Sequence, residues 1–296
     1  MRTSAILTAT TALFISSFTS AQSSRPPLPA QLVREVVYNE LHDHSTHGYW
    51  RFRVTSHAQG RTLVADQVET LDGPVSRIAL ADGKPLSPEY AQKEDSRLLH
   101  LLRSPAEQEQ QRRQHQQDEQ RIGHILAQLP DAFLFDNEGL QSGCFRLKFH
   151  PNPAYSTSSI EGRVFQAMSG TIMIDVRSRR LALLEGHVGN NVDFGYGILG
   201  RVYKGGWFLL QRTQVSSTEW KTERLEIHMN IRALMVKSIT KETSETREDF
   251  VRVSENTTLT QGVRLLEGEK SLGPGPEIVA TASGPSASDT AKPLHY

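Results

Sequence analysis

Over residues 170–253 apolar and polar side chains alternate in successive short runs. The cleanest is 224–231, where Leu225, Ile227, Met229 and Ile231 point one way and Arg224, Glu226, His228 and Asn230 the other. Successive side chains on a strand face opposite sides, so this spacing predicts strands with one buried and one wet face. The same period over 171–176, 181–188, 202–215, 220–231 and 234–253 predicts an antiparallel meander. Upstream, 49–55 alternates with Trp50, Phe52 and Val54 on the apolar side, followed by strands over 62–70 and 75–80. Asp72-Gly73 between those two marks a hairpin turn, since glycine tolerates the positive φ such turns need, and Asp82-Gly83-Lys84-Pro85 closes the unit. Two more strands fall at 132–136 and 143–149, the second placing Phe145, Leu147 and Phe149 on one face.

Helical spacing appears in four places. Residues 30–42 carry Leu32, Val33, Val36, Val37 and Leu41 on one stripe, as a helix lying on a sheet requires. Ser87-Pro88 and Ser104-Pro105-Ala106-Glu107 are helix starts, the second as a capping box, and predict helices over 88–103 and 105–129. The first presents Tyr90, Leu98, Leu99, Leu101 and Leu102; the second ends on Ile122, Ile125, Leu126 and Leu129. Residues 107–121 hold no apolar side chain and seven glutamines. A helix polar all round packs on nothing, so this stretch reads as a solvated excursion, or as a lid arm or partner-docking helix. Ser158 with Glu161 starts a short helix whose Ile160, Val164, Phe165 and Met168 pack inward.

These elements predict an α+β fold: one curved antiparallel β-sheet of about ten strands, a half-barrel, with helices on its apolar face and a helical insertion at 88–129. The expected domain covers 30–253. Residues 254–296 contain Gly-Pro-Gly-Pro and Ser/Ala/Thr runs and are expected to be a disordered tail.

The N-terminus adds a location. Arg2, an apolar Thr/Ser-rich stretch over 5–18 and the small residues Thr19-Ser20-Ala21 predict a secretory signal peptide (1–21) cleaved near Ala21, leaving Gln22 first and the protein periplasmic. No other segment approaches the roughly 20 apolar residues that span a bilayer. Lys+Arg and Asp+Glu number 33 each, which argues against an electrostatic nucleic-acid binder. The single cysteine, Cys144, excludes an internal disulfide or a Cys-based zinc site, and lies in an alternating run as packing.

Motif by motif, chemistry is not announced. Gly195-Tyr196-Gly197-Ile198-Leu199-Gly200 spells a nucleotide-binding glycine pattern, but the residues after it read as strand and turn, whereas the phosphate needs a helix N-terminus. No catalytic-loop His-Arg-Asp follows it, as a kinase requires. His42, Asp43, His44 and His47 cluster at a helix end without a downstream ligand at zinc spacing; the negative end of the helix dipole explains them as well. Ser76 and Ser169 stand in no nucleophile motif, Asp136 and Glu138 flank a turn, and Asp175 reads as structural. The expectation is therefore a non-enzyme with no catalytic residues, no metal and no cofactor.

Met168-Ser169-Gly170-Thr171-Ile172-Met173-Ile174-Asp175 followed by Arg180-Leu181-Ala182 is similar to a segment of outer-membrane sorting proteins in the LolA/LolB-type periplasmic lipoprotein-carrier superfamily. Three further stretches resemble an exported family of acidobacterial genomes over about residues 30–253: 129–135, Arg146-Leu147-Lys148-Phe149-His150-Pro151-Asn152-Pro153, and Lys204-Gly205-Gly206. The carrier resemblance implies a half-barrel whose concave apolar face shelters acyl chains under a helical lid. The carriers' lid-locking arginine matches no position here, and the insertion and tail exceed a minimal carrier. The resulting expectation is a carrier for a lipid or acylated, lipoprotein-like ligand, lined by Trp50, Phe52, Phe145, Leu147, Ile172, Ile174, Leu209, Leu225, Ile227 and Met229. The same residues serve equally as an ordinary core filled by helices. In that case the protein is an envelope scaffold acting on protein partners through helix 107–121 and the tail.

Overall fold

A computed structural model describes residues 28–42, 48–58, 60–194, 200–233 and 237–268. After α1 (Pro29–His42) come β1 (Trp50–Ala58), β2 (Arg61–Val68), β3 (Val75–Ala81) and the short β4 (Lys84–Pro85). The insertion forms α2 (Pro88–Arg103) and α3 (Pro105–Ala132), and leads into β5 (Phe133–Gln141), β6 (Cys144–Pro151) and α4 (Ile160–Phe165). The meander is β7 (Met168–Asp175), β8 (Leu181–Val188), β9 (Val192–Phe194), β10 (Gly200–Val202), β11 (Trp207–Gln214), β12 (Trp220–Ala233) and β13 (Lys237–Arg252), closed by α5 (Leu259–Glu267).

Among the described residues these 13 strands form one antiparallel sheet in the order β4-β3-β2-β1-β13-β12-β11-β8-β7-β6-β5, with β9 and β10 attached beside β12. The two end strands do not pair with each other, so the sheet is an open, curved half-barrel. The α+β architecture expected from the alternation is present. The strand count exceeds ten partly because 202–215 is two strands: a turn at 203–206, with Gly205 at φ +86°, folds back so that Gly205 donates to the Val188 carbonyl. At Asp72-Gly73 the predicted hairpin turn occurs with Gly73 at φ +96°.

Register decides which side chains share a face. Leu147, Ile172, Leu184, Leu210 and Leu225 stand directly opposite one another from β6 to β12 and define one face. α1 lies on it, burying Leu32, Val33, Val36 and Val37 against Leu147, Ile172, Ile174 and Leu181. α2 and α5 lie elsewhere. They bury Leu98, Leu101, Leu259, Val263 and Leu266 on Val68 and Val75. Val68 pairs with Arg51, whose neighbours Trp50 and Phe52 point the other way, so this second core sits on the opposite face. Helices therefore cover both faces, at opposite ends of the sheet.

Three local expectations change. Residues 259–267, placed in the disordered tail, form α5 with a complete capping box from Thr258 and Gln261. The cap of α4 is Ser159 rather than Ser158, and Ile160 is exposed instead of packing inward. Helix α3 is polar over 107–121 but does not float free. Arg112 pairs with Asp72 at 2.9 Å and the Gln111 amide donates to the Pro74 carbonyl at 3.0 Å, so long polar side chains rest it on the β2–β3 turn. An apolar-stripe criterion does not register contacts of that kind.

Two glycines set how closely aromatic rings approach the sheet. A Cβ on Gly170 would fall on the Glu185 carbonyl oxygen and 2.7 Å from the Phe149 ring; one on Gly186 would lie 2.6 Å from the Phe208 ring. Gly170→Ala is therefore expected to destabilise the protein by about 1–3 kcal/mol, because backbone rather than a movable side chain must yield. A urea melt against wild type checks this; an unchanged midpoint contradicts it.

Candidate functional site

Beside the α1 contact, the last turns of α3 bring Ile125, Leu126 and Leu129 over the same face of the sheet, and α4 adds Phe165. From below, β5 contributes Phe133 and Phe135, β6 Phe149, β7 Met168 and Ile172, β8 Leu184 and β11 Phe208. With Val33 of α1 these side chains line a partly open cavity of about 130 Å³ whose lining is entirely apolar. Its aromatic corner is tightly built, with Phe133 edge-on to Phe149 at 4.8 Å and 5.5 Å from Phe165 between ring centres. Apolar cavities of this size stay dry and accept apolar groups. Ligand pockets for larger molecules run to about 300–1,000 Å³, so a long chain would enter fully only if the roof moved outward.

The roof is held unequally. On α1, Glu40 accepts from Arg212 of β11 at 2.5 Å and lies 3.8 Å from Arg180, with all three side chains nearly buried. Arg180 also donates to the Asn39 carbonyl at 3.0 Å, and the Asn39 amide to the Arg179 carbonyl at 3.1 Å. Breaking a buried pair leaves an uncompensated charge, which typically costs about 3–5 kcal/mol, so α1 is the fixed part. The end of α3 is held over the cavity by Ile125, Leu126 and Leu129, and its polar ties lie at the rim: Tyr155 Oη donates to Gln128 at 2.7 Å, Arg34 of α1 pairs with the exposed Asp131 at 3.2 Å, and Asn152 donates to the Asp131 and Ala132 carbonyls at 2.9 Å. Glu40 is not evident as an anchor in the sequence, yet it left a signal: a carboxylate in phase with the stripe Val33, Val36, Val37.

The ten candidate lining residues do not form one site. Leu147, Ile172, Ile174 and Phe145 lie under α1, and of these only Ile172 also borders the cavity. Met229 packs at the neighbouring core around Val202, while Leu225 and Ile227 share the face at greater distance and are half-buried. Trp50 and Phe52 are buried elsewhere in the sheet. Phe52 packs on Phe250 at 5.2 Å, with the Arg247 guanidinium 5.8 Å from its ring centre. The Trp50 indole donates to Glu219 at 2.6 Å. Leu209 is on the wrong face: it pairs with Glu185 and Glu226, opposite in sense to Leu210. Apolar residues occupy both parities over Trp207-Phe208-Leu209-Leu210, so alternation could not choose between them. The aromatic wall missing from the candidates, Phe133 and Phe135 with Phe149, had a signal in its Phe-x-Phe spacing.

Asp175 is a turn anchor. Burial pushes its pKa up, but hydrogen bonds from the Ser178 N–H and hydroxyl and the Arg177 N–H hold it below the ordinary carboxylate value. Among the described residues no group of three or more His, Cys, Asp or Glu side chains is placed to hold a metal ion. None of the described helices is long and apolar enough to cross a membrane. The signal segment 1–21, Asp43, His44 and His47, the glycine loop at 195–199 and residues 269–296 lie outside the described residues.

No family model matches the chain, and no curated protein matches it. Among solved structures it is similar to a DUF1329 family protein from Desulfovibrio piger, 9% identical, covering 76% of this chain and 94% of that one at a TM-score of 0.27. It is also similar to MucB in complex with MucA(peri), 9% identical, covering 80% of this chain and 97% of that one at a TM-score of 0.21. At overlaps this loose neither bears on what the present protein binds.

Proposed function

We propose that the protein is an exported, non-enzymatic binder or carrier of a lipid or acylated molecule, whose acyl chain enters the cavity beneath α1, α3 and α4. The observation that carries this reading is a cavity of about 130 Å³ with no polar side chain in its lining. Burying an acyl chain there contributes about 0.8 kcal/mol per methylene, and an apolar wall offers nothing to a polar ligand. The cavity accepts the end of a chain as it stands. The rest enters as the end of α3 lifts, while Glu40 keeps α1 on the sheet. The resemblance to lipoprotein carriers and the signal-peptide pattern support the exported setting.

A second reading has one observation in its favour. The exposed side of α3 forms a polar surface lined by Gln110, Arg113, Gln114, Gln117, Asp118 and Arg121, held in place through Arg112 and suited to a protein partner. Titration with the fluorescent fatty acid cis-parinaric acid separates the two. The carrier reading predicts a saturable rise in fluorescence that palmitate reverses. Absence of any rise above buffer would leave the cavity as a packing defect and favour the partner surface.

A further inference from the structure

The face of the sheet opposite the cavity carries a second feature. Ser169, His187, Trp207, His228 and Glu242 stand directly opposite one another across β7, β8, β11, β12 and β13. At the middle of this row Trp207 is 42% exposed, although Trp50 and Trp220 are 4% and 9% exposed. Its ring lies nearly parallel to that of His228, at 15° with centres 6.3 Å apart. Trp207 forms the ridge between two surface hollows. One, of about 520 Å³, has Ser169, Thr171, Glu185 and His187 on its floor. The other, of about 480 Å³, is bordered by Thr62, Glu226, Glu242 and Ser244.

The chemistry of this surface selects a ligand class. A wide indole standing in the open is apolar area that a partner would cover. The groups around it are hydroxyls, imidazoles, carboxylates and the cations Lys148 and Arg61, which together donate and accept hydrogen bonds. Its charges are largely paired, Lys148 with Glu138, Arg61 with Asp82 and Arg224 with Glu226, so the surface offers no concentrated charge of either sign to an ionic ligand, and the density of polar groups disfavours an acyl chain. What fits is a neutral molecule with flat apolar faces and hydrogen-bonding edges, which describes a pyranose sugar. Four strand spacings separate Ser169 from Glu242, roughly 19 Å, room for several consecutive rings.

We propose that this open face binds an extended β-linked oligosaccharide laid across the strands, with one ring stacked on Trp207 and its hydroxyls bonded to the hollows on either side. The site shares no side chain with the acyl cavity's roof and does not depend on it.

Titration calorimetry with cellohexaose, chitohexaose and mannohexaose, paired with acrylamide quenching of tryptophan emission, tests the proposal. At least one hexasaccharide binds and shields the exposed indole, Trp207→Ala weakens that binding by about tenfold, and Trp207→Phe restores most of it. Circular dichroism melts of the variants establish that both are folded. No heat and no shielding with any of the three sugars up to about 5 mM, where a Kd near 1 mM would show, overturns the site. So does a folded Trp207→Ala variant that binds as wild type does.

Discussion

Replacing Glu219 with alanine is expected to lower stability by about 3–5 kcal/mol, the largest effect of any single substitution considered. Glu219 is 1% exposed, and its two carboxylate oxygens accept from the Gly48 N–H and the Trp50 indole N–H, each at 2.6 Å. Truncation leaves both donors buried without a partner. A hydrogen bond to a charged group is worth about 1.5–3 kcal/mol, and each orphaned donor carries a desolvation cost of about 1–3 kcal/mol. For a chain of this size the thermal midpoint should fall by roughly 10 °C. Glu219→Gln keeps one acceptor oxygen but turns an amide donor toward the second N–H, so it should fall between the two. Thermal melts followed by circular dichroism check the series, and a Glu219→Ala midpoint within about 2 °C of wild type would contradict the role given to this carboxylate.

Filling the cavity should separate binding from stability. Leu129→Phe adds apolar volume from the roof into the space of about 130 Å³ bounded by Phe133, Leu184 and Phe208. Overpacking a tight core costs about 1–3 kcal/mol, but here there is room, so stability should hold or rise by about 0.5–2 kcal/mol. Affinity for cis-parinaric acid should drop more than about tenfold, as about two methylenes' worth of burial would be lost. Leu209→Phe, on the opposite face, should leave that affinity unchanged. If Leu129→Phe binds the fatty acid as wild type does, the chain does not enter this cavity.

What the sequence discloses about this fold depends on how far apart the interacting residues lie. The strand at β12 is legible because its alternation is local and one-sided, and the α1 stripe is legible for the same reason. The face of Leu209 is not legible, because Trp207, Phe208, Leu209 and Leu210 are apolar on both parities and only pairing with β8 and β12 settles it. Glu219 meets its partners from 171 and 169 residues away, so neither spacing nor motif could announce it. α5 was hidden differently. Leu259, Val263 and Leu266 follow helical spacing after the Thr258 cap, but the Gly/Pro-rich composition of the whole segment masked nine ordered residues. The cavity is the least legible feature. Alternation supplies an apolar face, whereas a void depends on how α1, α3 and α4 fail to fill the space above Ile172 and Leu184.

The helices also divide the work. α2 and α5 close one end of the sheet on one face, and α1 is pinned by Glu40 on the other. In the proposed carrier reading, the end of α3, with Ile125, Leu126 and Leu129, is the part of the roof that moves to enlarge the site. A fatty acid that lifts this segment should loosen its amides while α1 stays protected, which distinguishes entry beneath α3 from entry beside α1.

Native mass spectrometry of the protein purified from its producing cells without detergent tests the carrier reading most directly. The expected spectrum shows a polypeptide beginning at Gln22 plus an added mass that organic extraction removes and that matches a phospholipid or an acylated peptide. A bare polypeptide mass that stays bare after incubation with lipids would contradict the reading, and would turn attention to the polar surface of α3.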